Sequence, residues 1–214
     1  MTKKPISMII IVLCAIIAGV LITSLIYAFT GFSVFGNTQR NTTPPEDTEN
    51  AEMISLAYKV LEYIRDEDFA SLQHLIHPDL GVTFSPYATV NLSTNRQFTS
   101  SQISRLNTDT NIYVWGVFNG SGEPIELTPA DYFARFVSAA EFINAPVIGV
   151  NQIIRSGNAL ENITETFPDI RFVDFHISRG EPTLETDWSS LRLGFEDYNG
   201  NLRLIAVVYS SWTI

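Results

Sequence analysis

The chain has 214 residues, with 13 lysines and arginines set against 23 aspartates and glutamates, three histidines and one cysteine. A net charge of −10 repels phosphate backbones, so nucleic acid is excluded as an expected partner. The lone Cys14 leaves the rest of the chain without a disulfide or a thiolate metal site, and a chain of this length buries a core without such staples.

Residues 6–29 carry no charge and are rich in Ile, Leu, Val and Ala. At about 1.5 Å of rise per residue, a helix of that length crosses a hydrocarbon core of about 30 Å. A helix also pairs every backbone group internally, as lipid demands. A cleaved signal peptide has a shorter apolar stretch and a small-x-small site; here Ala28-Phe29-Thr30 ends in threonine. Cys14 follows Leu13 rather than a small residue and lies mid-run, which opposes a lipid anchor. The expectation is an uncleaved signal anchor. Lys3 and Lys4 place the N-terminus in the cytoplasm and the bulk of the chain outside, single-pass in the cell membrane. The organisation read from this is a cytoplasmic stub and transmembrane segment at 1–35, a polar linker at 36–50 and an extracytoplasmic domain at 51–214. Secreted eukaryotic domains often rely on disulfides, so their absence points to a bacterial envelope protein.

The Pro44-Pro45 pair opposes helix in the linker. Thr48 or Asn50 is a candidate cap for a helix carrying Met53, Leu56, Ala57, Val60, Leu61 and Ile64 at helical spacing. Asp66 or Asp68 opens a second helix, with Phe69, Leu72, Leu75 and Ile76 on one face; it stops at His77-Pro78, because the residue before proline avoids the α region. Strands are expected at 81–87 and 111–118, with a short capped helix at 99–106 between them. Thr128-Pro129-Ala130-Asp131 is a helix start leading into Tyr132, Phe133, Phe136, Val137 and Ala140. A strand at 147–154, a helix at 158–167 and an alternating strand at 170–177 follow. In that strand Ile170, Phe172, Asp174 and His176 share one face, and Arg171, Val173, Phe175 and Ile177 the other. Asn199-Gly200 joins strands at 191–198 and 202–209 as a hairpin.

Two helices, a strand, a middle helix and long antiparallel strands to the end resemble the cone-shaped nuclear transport factor two/ketosteroid isomerase superfamily. The run Asp66-Glu67-Asp68-Phe69-Ala70-Ser71-Leu72 into His77-Pro78-Asp79 is similar to that superfamily's passage from its first helix through its second. The pieces Phe84-Ser85-Pro86-Tyr87, Tyr113-Val114-Trp115-Gly116, Gly120-Ser121-Gly122-Glu123-Pro124-Ile125, Asp187-Trp188-Ser189-Ser190-Leu191-Arg192-Leu193 and Trp212-Thr213-Ile214 resemble an uncharacterised domain at the C-termini of bacterial exported proteins and lipoproteins. That resemblance implies no activity, and the isomerases' acid and tyrosines have no matching positions here. The implied fold class is α+β: an N-terminal transmembrane helix, then a curved antiparallel sheet packed against N-terminal helices in a cone.

His176 beside Asp174 on one strand face is the arrangement a proton-transfer site needs, with Asp187 and Tyr87 as further candidate catalytic groups. A satisfied polar pair explains the same spacing, and no catalytic residue is assigned. Tyr87, Trp115, His176 and Trp188 are the candidate ligand-binding residues, because aromatic walls with a few polar tips suit small ligands; packing in the core is their ordinary use. His74 and His77 near a helix end suit the helix dipole better than a metal, so no metal and no cofactor is expected. No Gly-x-Ser-x-Gly, phosphate loop or dinucleotide glycine pattern occurs. The expected function is a membrane-anchored extracytoplasmic module that binds a small ligand or a protein partner without catalysis. The alternatives are a small cone-fold lyase or isomerase using His176 with a nearby carboxylate, and a homodimeric assembly domain.

Overall fold

The computed structural model describes residues 46–180 and 186–212. The expected anchor at residues 6–29 lies outside them, and among the described residues no helix is long and apolar enough to cross a membrane. Residues 44–214 form one compact unit. It is a mixed α+β domain built on one large sheet with several helices.

Helix α1, Glu46–Arg65, buries Met53, Ala57, Val60 and Leu61. It starts before the expected Thr48 or Asn50 cap, so the last residues of the expected linker are helical. Burial of its apolar stripe stabilises a helix beyond what local capping alone would allow. Asp68 caps α2, Phe69–Leu72, accepting from the Ser71 N–H at 3.0 Å. A 3₁₀ turn, Gln73–Leu75, then ends the segment ahead of His77-Pro78.

Strands β1 (Val82–Ser85) and β2 (Arg96–Phe98) precede α3 (Ser100–Ile103), which has a full capping box between Thr99 and Gln102. Strands β3 (Tyr113–Val117) and β4 (Pro124–Leu127) pair with each other as a separate two-stranded sheet. Helix α4, Pro129–Tyr132, has the expected Thr128 cap, with proline in its first turn. It widens into a π-helical turn, Phe133–Val137, and breaks at Ser138, whose φ is +41°. The continuous helix expected through Ala140 is therefore two pieces, the second being α5, Ala139–Phe142.

Strand β5, Val147–Val150, is shorter than expected because Asn151 turns the chain with φ +51°. Helix α6 is only Ile163–Thr166. Strands β6 (Arg171–Ser178), β7 (Trp188–Tyr198) and β8 (Asn201–Ser211) follow, and Asn199 and Gly200 make the β7–β8 turn with φ +54° and +77°. Those two positive φ values are what a hairpin turn of this twist requires.

The large sheet runs β2-β1-β8-β7-β6-β5. It departs from the expected all-antiparallel sheet at one place, where β1 lies parallel to β8. Parallel neighbours need a long crossover, and nearly the whole domain intervenes between them. A register shift between Gly194 and Phe195 bulges the β7–β8 ladder, and such bulges bend strands.

Strand alternation divides the sheet into two faces. Phe84, Val173, Phe175, Leu191, Leu193 and Val207 join the α1 residues in the main core. Phe172, Ala206 and Val208 belong to a second cluster with Val90, Ile163 and Ile170 on the opposite face. That outer face is covered by the chain itself, through the segment between β5 and β6.

Candidate functional site

The structure divides the sequence-derived candidates between the two faces. Trp115 is 0% exposed in the main core. Its ring stacks on Tyr132 at 3.8 Å, and its indole N–H donates to the Leu127 carbonyl at 2.9 Å. Phe84, Phe98 and Phe133 pack against the same indole. Burial drives the Tyr132 phenol well above its ordinary range. Half-buried Tyr87 packs against this cluster, its ring 6.3 Å from Phe136. The space that Trp115 and Tyr87 were expected to line is thus filled by side chains, and Trp115 presents no free face to a ligand.

His176, Asp174 and Trp188 lie on the opposite face. Register pairs Asp174 with Arg192, His176 with Ser190 and Ser178 with Trp188, so these side chains form one row. His176 is 5% exposed. Its Nδ1 lies 3.0 Å from Ser190 Oγ and its Nε2 2.9 Å from Ser178 Oγ. Burial lowers the imidazole pKa, against the opposing pull of Asp174. The Trp188 ring lies 5.8 Å from the imidazole and is itself buried. Asp187 is exposed in the turn before β7, where its carbonyl accepts from the Arg179 N–H.

Asp174 pairs with a residue the sequence reading did not single out. The Arg192 guanidinium is fully buried; its Nε donates to Asp174 Oδ2 at 3.0 Å. Its terminal nitrogens hold Glu161 in a two-pronged contact, and one also reaches the Arg155 carbonyl at 3.4 Å. The Ile154 N–H is a second donor to Asp174 Oδ2, at 3.1 Å. Asp174 Oδ1 is buried and has no partner among the described residues. Asp174 therefore faces a cation rather than standing free to move a proton for His176. The signal for this was an arginine between Leu191 and Leu193, two inward-facing residues, which places it on the Asp174 face once register is known.

His77, weighed as a metal ligand, uses its Nδ1 to accept from the Asp79 and Leu80 N–H groups at 3.2 and 3.0 Å.

An open concavity with an apolar wall lies elsewhere. A groove of about 440 Å³ opens between the end of α1, Phe69 and the segment from Pro129 to Glu141. Ile64, Phe69, Leu106, Phe133, Ala134 and Ala139 supply most of its apolar wall. Its ionisable members are Arg65, Glu67 and Glu141. Arg65 is paired with Asp66 at 2.8 Å, and Glu141 with Arg179 at 2.6 Å. Ser138, on the same wall, holds the left-handed backbone that splits the helix, with its hydroxyl donating to the Ala134 carbonyl at 2.9 Å. Neither histidine nor tryptophan lines this groove.

No protein family and no curated protein sequence matches the chain. One solved structure, a substituted variant of a protein named Rd1NTF2_05, is similar in part: 12% identity over 76% of this chain and 99% of that chain, with a TM-score of 0.31.

Proposed function

We propose that this is a tethered extracytoplasmic binding module without catalysis, and that its ligand or partner seats in the groove between α1 and the split α4–α5 segment. One contrast carries the reading: the side of the large sheet that faces α1 is filled by Trp115, Tyr132 and Phe84, while an apolar-walled groove stays open beside the helix break. Small-molecule sites are typically concave, largely apolar and pre-formed. The π-turn and the positive φ of Ser138 add local strain at that wall, which in other proteins clusters at sites of function.

We further infer a cone of the nuclear transport factor two type, tethered by the apolar segment at residues 6–29. The leading helices, the bulged β7–β8 ladder and the packing of α1 on the sheet support it. The lyase or isomerase alternative requires His176 at an open cavity; both its ring nitrogens are engaged by serines on a covered face. The homodimer alternative rests on Ile112, Val114 and Val117, exposed apolar residues in and next to β3.

The test uses a fluorescent anilinonaphthalene sulfonate probe on residues 44–214. A saturable, blue-shifted signal is expected, and Ala134→Trp, which fills the groove, is expected to abolish it while leaving the melting temperature in place. Absence of saturable binding, or binding indifferent to the tryptophan, would overturn the assignment.

A further inference from the structure

The groove beside the helix break holds a glutamate that its own backbone disfavours. Glu67 follows α1 in the left-handed region, with φ +54°. Its N–H donates to the Ile64 carbonyl at 3.2 Å, and the Asp68 N–H donates to the Tyr63 carbonyl at 2.8 Å. Such a pair of bonds closes a helix around one left-handed residue, usually glycine, because a Cβ is strained there. Four non-glycine residues have positive φ among the described residues, and two of them, Asn151 and Asn199, are asparagines, which enter this region readily. The other two, Glu67 and Ser138, both line the groove. Ser138 ties its hydroxyl to the Ala134 carbonyl. The Glu67 carboxylate is exposed and has no hydrogen bond or ion partner among the described residues. Packing therefore does not account for a glutamate at this turn, and local strain of this kind collects at sites of function.

The other charges of the wall are engaged. Arg65 donates twice to Asp66, at 2.8 and 2.9 Å, and lies in the field of Glu62. Arg179 places both of its donors to Glu141 on Oε1, at 3.1 and 2.6 Å, so Glu141 Oε2 has no donor among the described residues. Two further cations border the wall without joining it. Arg105 is exposed beside Leu106, and Arg135 lies over the Phe118 and Phe136 rings. The lining residues and their ion partners thus carry two cations and three carboxylates. The chain as a whole carries −10, which draws cations towards it and turns anions away.

We propose that the ligand of this groove is a small amphiphilic amine, its apolar body against Phe69, Leu106 and Phe133 and its ammonium on Glu67. This rests on the groove being the binding site and adds the chemistry of what it takes. A cavity of about 440 Å³ suits a small molecule rather than a folded partner. An ammonium brings the N–H donors that Glu67 and Glu141 Oε2 lack, and a charge-assisted bond beside an apolar wall is stronger than one in open water.

Octylamine, octanol and octanoate present one apolar body with three different heads. They are titrated at neutral pH and low ionic strength into residues 44–214, a unit with its own core, and read by the amide chemical shifts of Ala134, Ala139 and Ala140. Octylamine is expected to bind about three- to ten-fold more tightly than octanol, with octanoate weakest and added salt narrowing the gap. Glu67→Gln is expected to bring octylamine to the affinity of octanol and to tighten the anionic anilinonaphthalene sulfonate. Glu67→Gly is expected to lose the same selectivity while raising the melting temperature by about 2–4 °C, since it relieves the turn. Equal affinity for octylamine and octanol in the parent, or a selectivity that survives Glu67→Gln, overturns the amine assignment and leaves the groove reading in place. Binding of none of the three, or binding indifferent to Ala134→Trp, removes the groove reading and the proposal with it. A Glu67→Gly variant that melts below the parent overturns the inference that the glutamate is held there against its backbone preference.

Discussion

Replacing Arg192 with methionine isolates the energetic role of the buried pair. Methionine approximates the volume of the aliphatic stem but removes the donors to Asp174 Oδ2 and Glu161. Glu161, already partly exposed, can turn towards water. Asp174 cannot: it is 0% exposed, and its remaining donor is the Ile154 N–H. Removing one member of a buried ion pair costs about 3–5 kcal/mol, because the other charge stays desolvated and unpaired. For a domain of this size, at about 2–4 °C per kcal/mol, the melting temperature should fall by roughly 6–20 °C. Adding Asp174→Leu removes the stranded carboxylate as well. The double variant should regain most of the loss, since replacing both members with apolar groups is often close to neutral. Urea unfolding of residues 44–214 at pH 7 reads both variants, with an unchanged slope required for the midpoints to be compared. A single variant costing under about 1 kcal/mol, or a double variant no more stable than the single, would refute the reasoning that Arg192 compensates the burial of Asp174.

Trp115→Ala should destabilise the domain by about 3–5 kcal/mol in the same assay, since it opens a cavity against Tyr132 and strips the donor from the Leu127 carbonyl; a cost below about 1 kcal/mol would mean the indole stands in an adjustable pocket rather than a packed core. Gly149→Ala would place a methyl group 2.3 Å from the Gln152 carbonyl oxygen, a backbone atom with little room to yield. A loss of about 1–3 kcal/mol is expected, together with faster exchange at residues 151–154, and normal exchange there would show that the β5 turn gives way freely.

The elements legible in the sequence were those written by local chemistry. Thr128-Pro129-Ala130-Asp131 carries its cap, its first-turn proline and its acid within four neighbouring positions, and the helix begins there. Asn199-Gly200 supplies two positive φ values between alternating strands, and the hairpin forms around it. The two faces of β6 were legible for the same reason, because strand alternation is a property of neighbours along the chain. The break at Ser138 was not legible. Nothing in Phe133-Ala134-Arg135-Phe136-Val137 interrupts a helical pattern, yet these residues form a π-helical turn.

The sequence by itself determined the charge, the absence of any disulfide within a chain of one cysteine, the existence of most helices and strands, and which side chains share a strand face. Only the tertiary structure decided what those side chains meet. Asp174 and His176 sit on one face in any strand, but whether that face opens on a cavity depends on residues 151–162 folding back across it. Whether Asp174 is free depends on β7 pairing in the register that brings Arg192 opposite. Trp115 is core rather than pocket wall because Tyr132, distant along β3, β4 and α4, stacks on it. Each of these is a contact between segments far apart in the chain, set by strand register and by how the long connections close, and neither periodicity nor residue type encodes that locally.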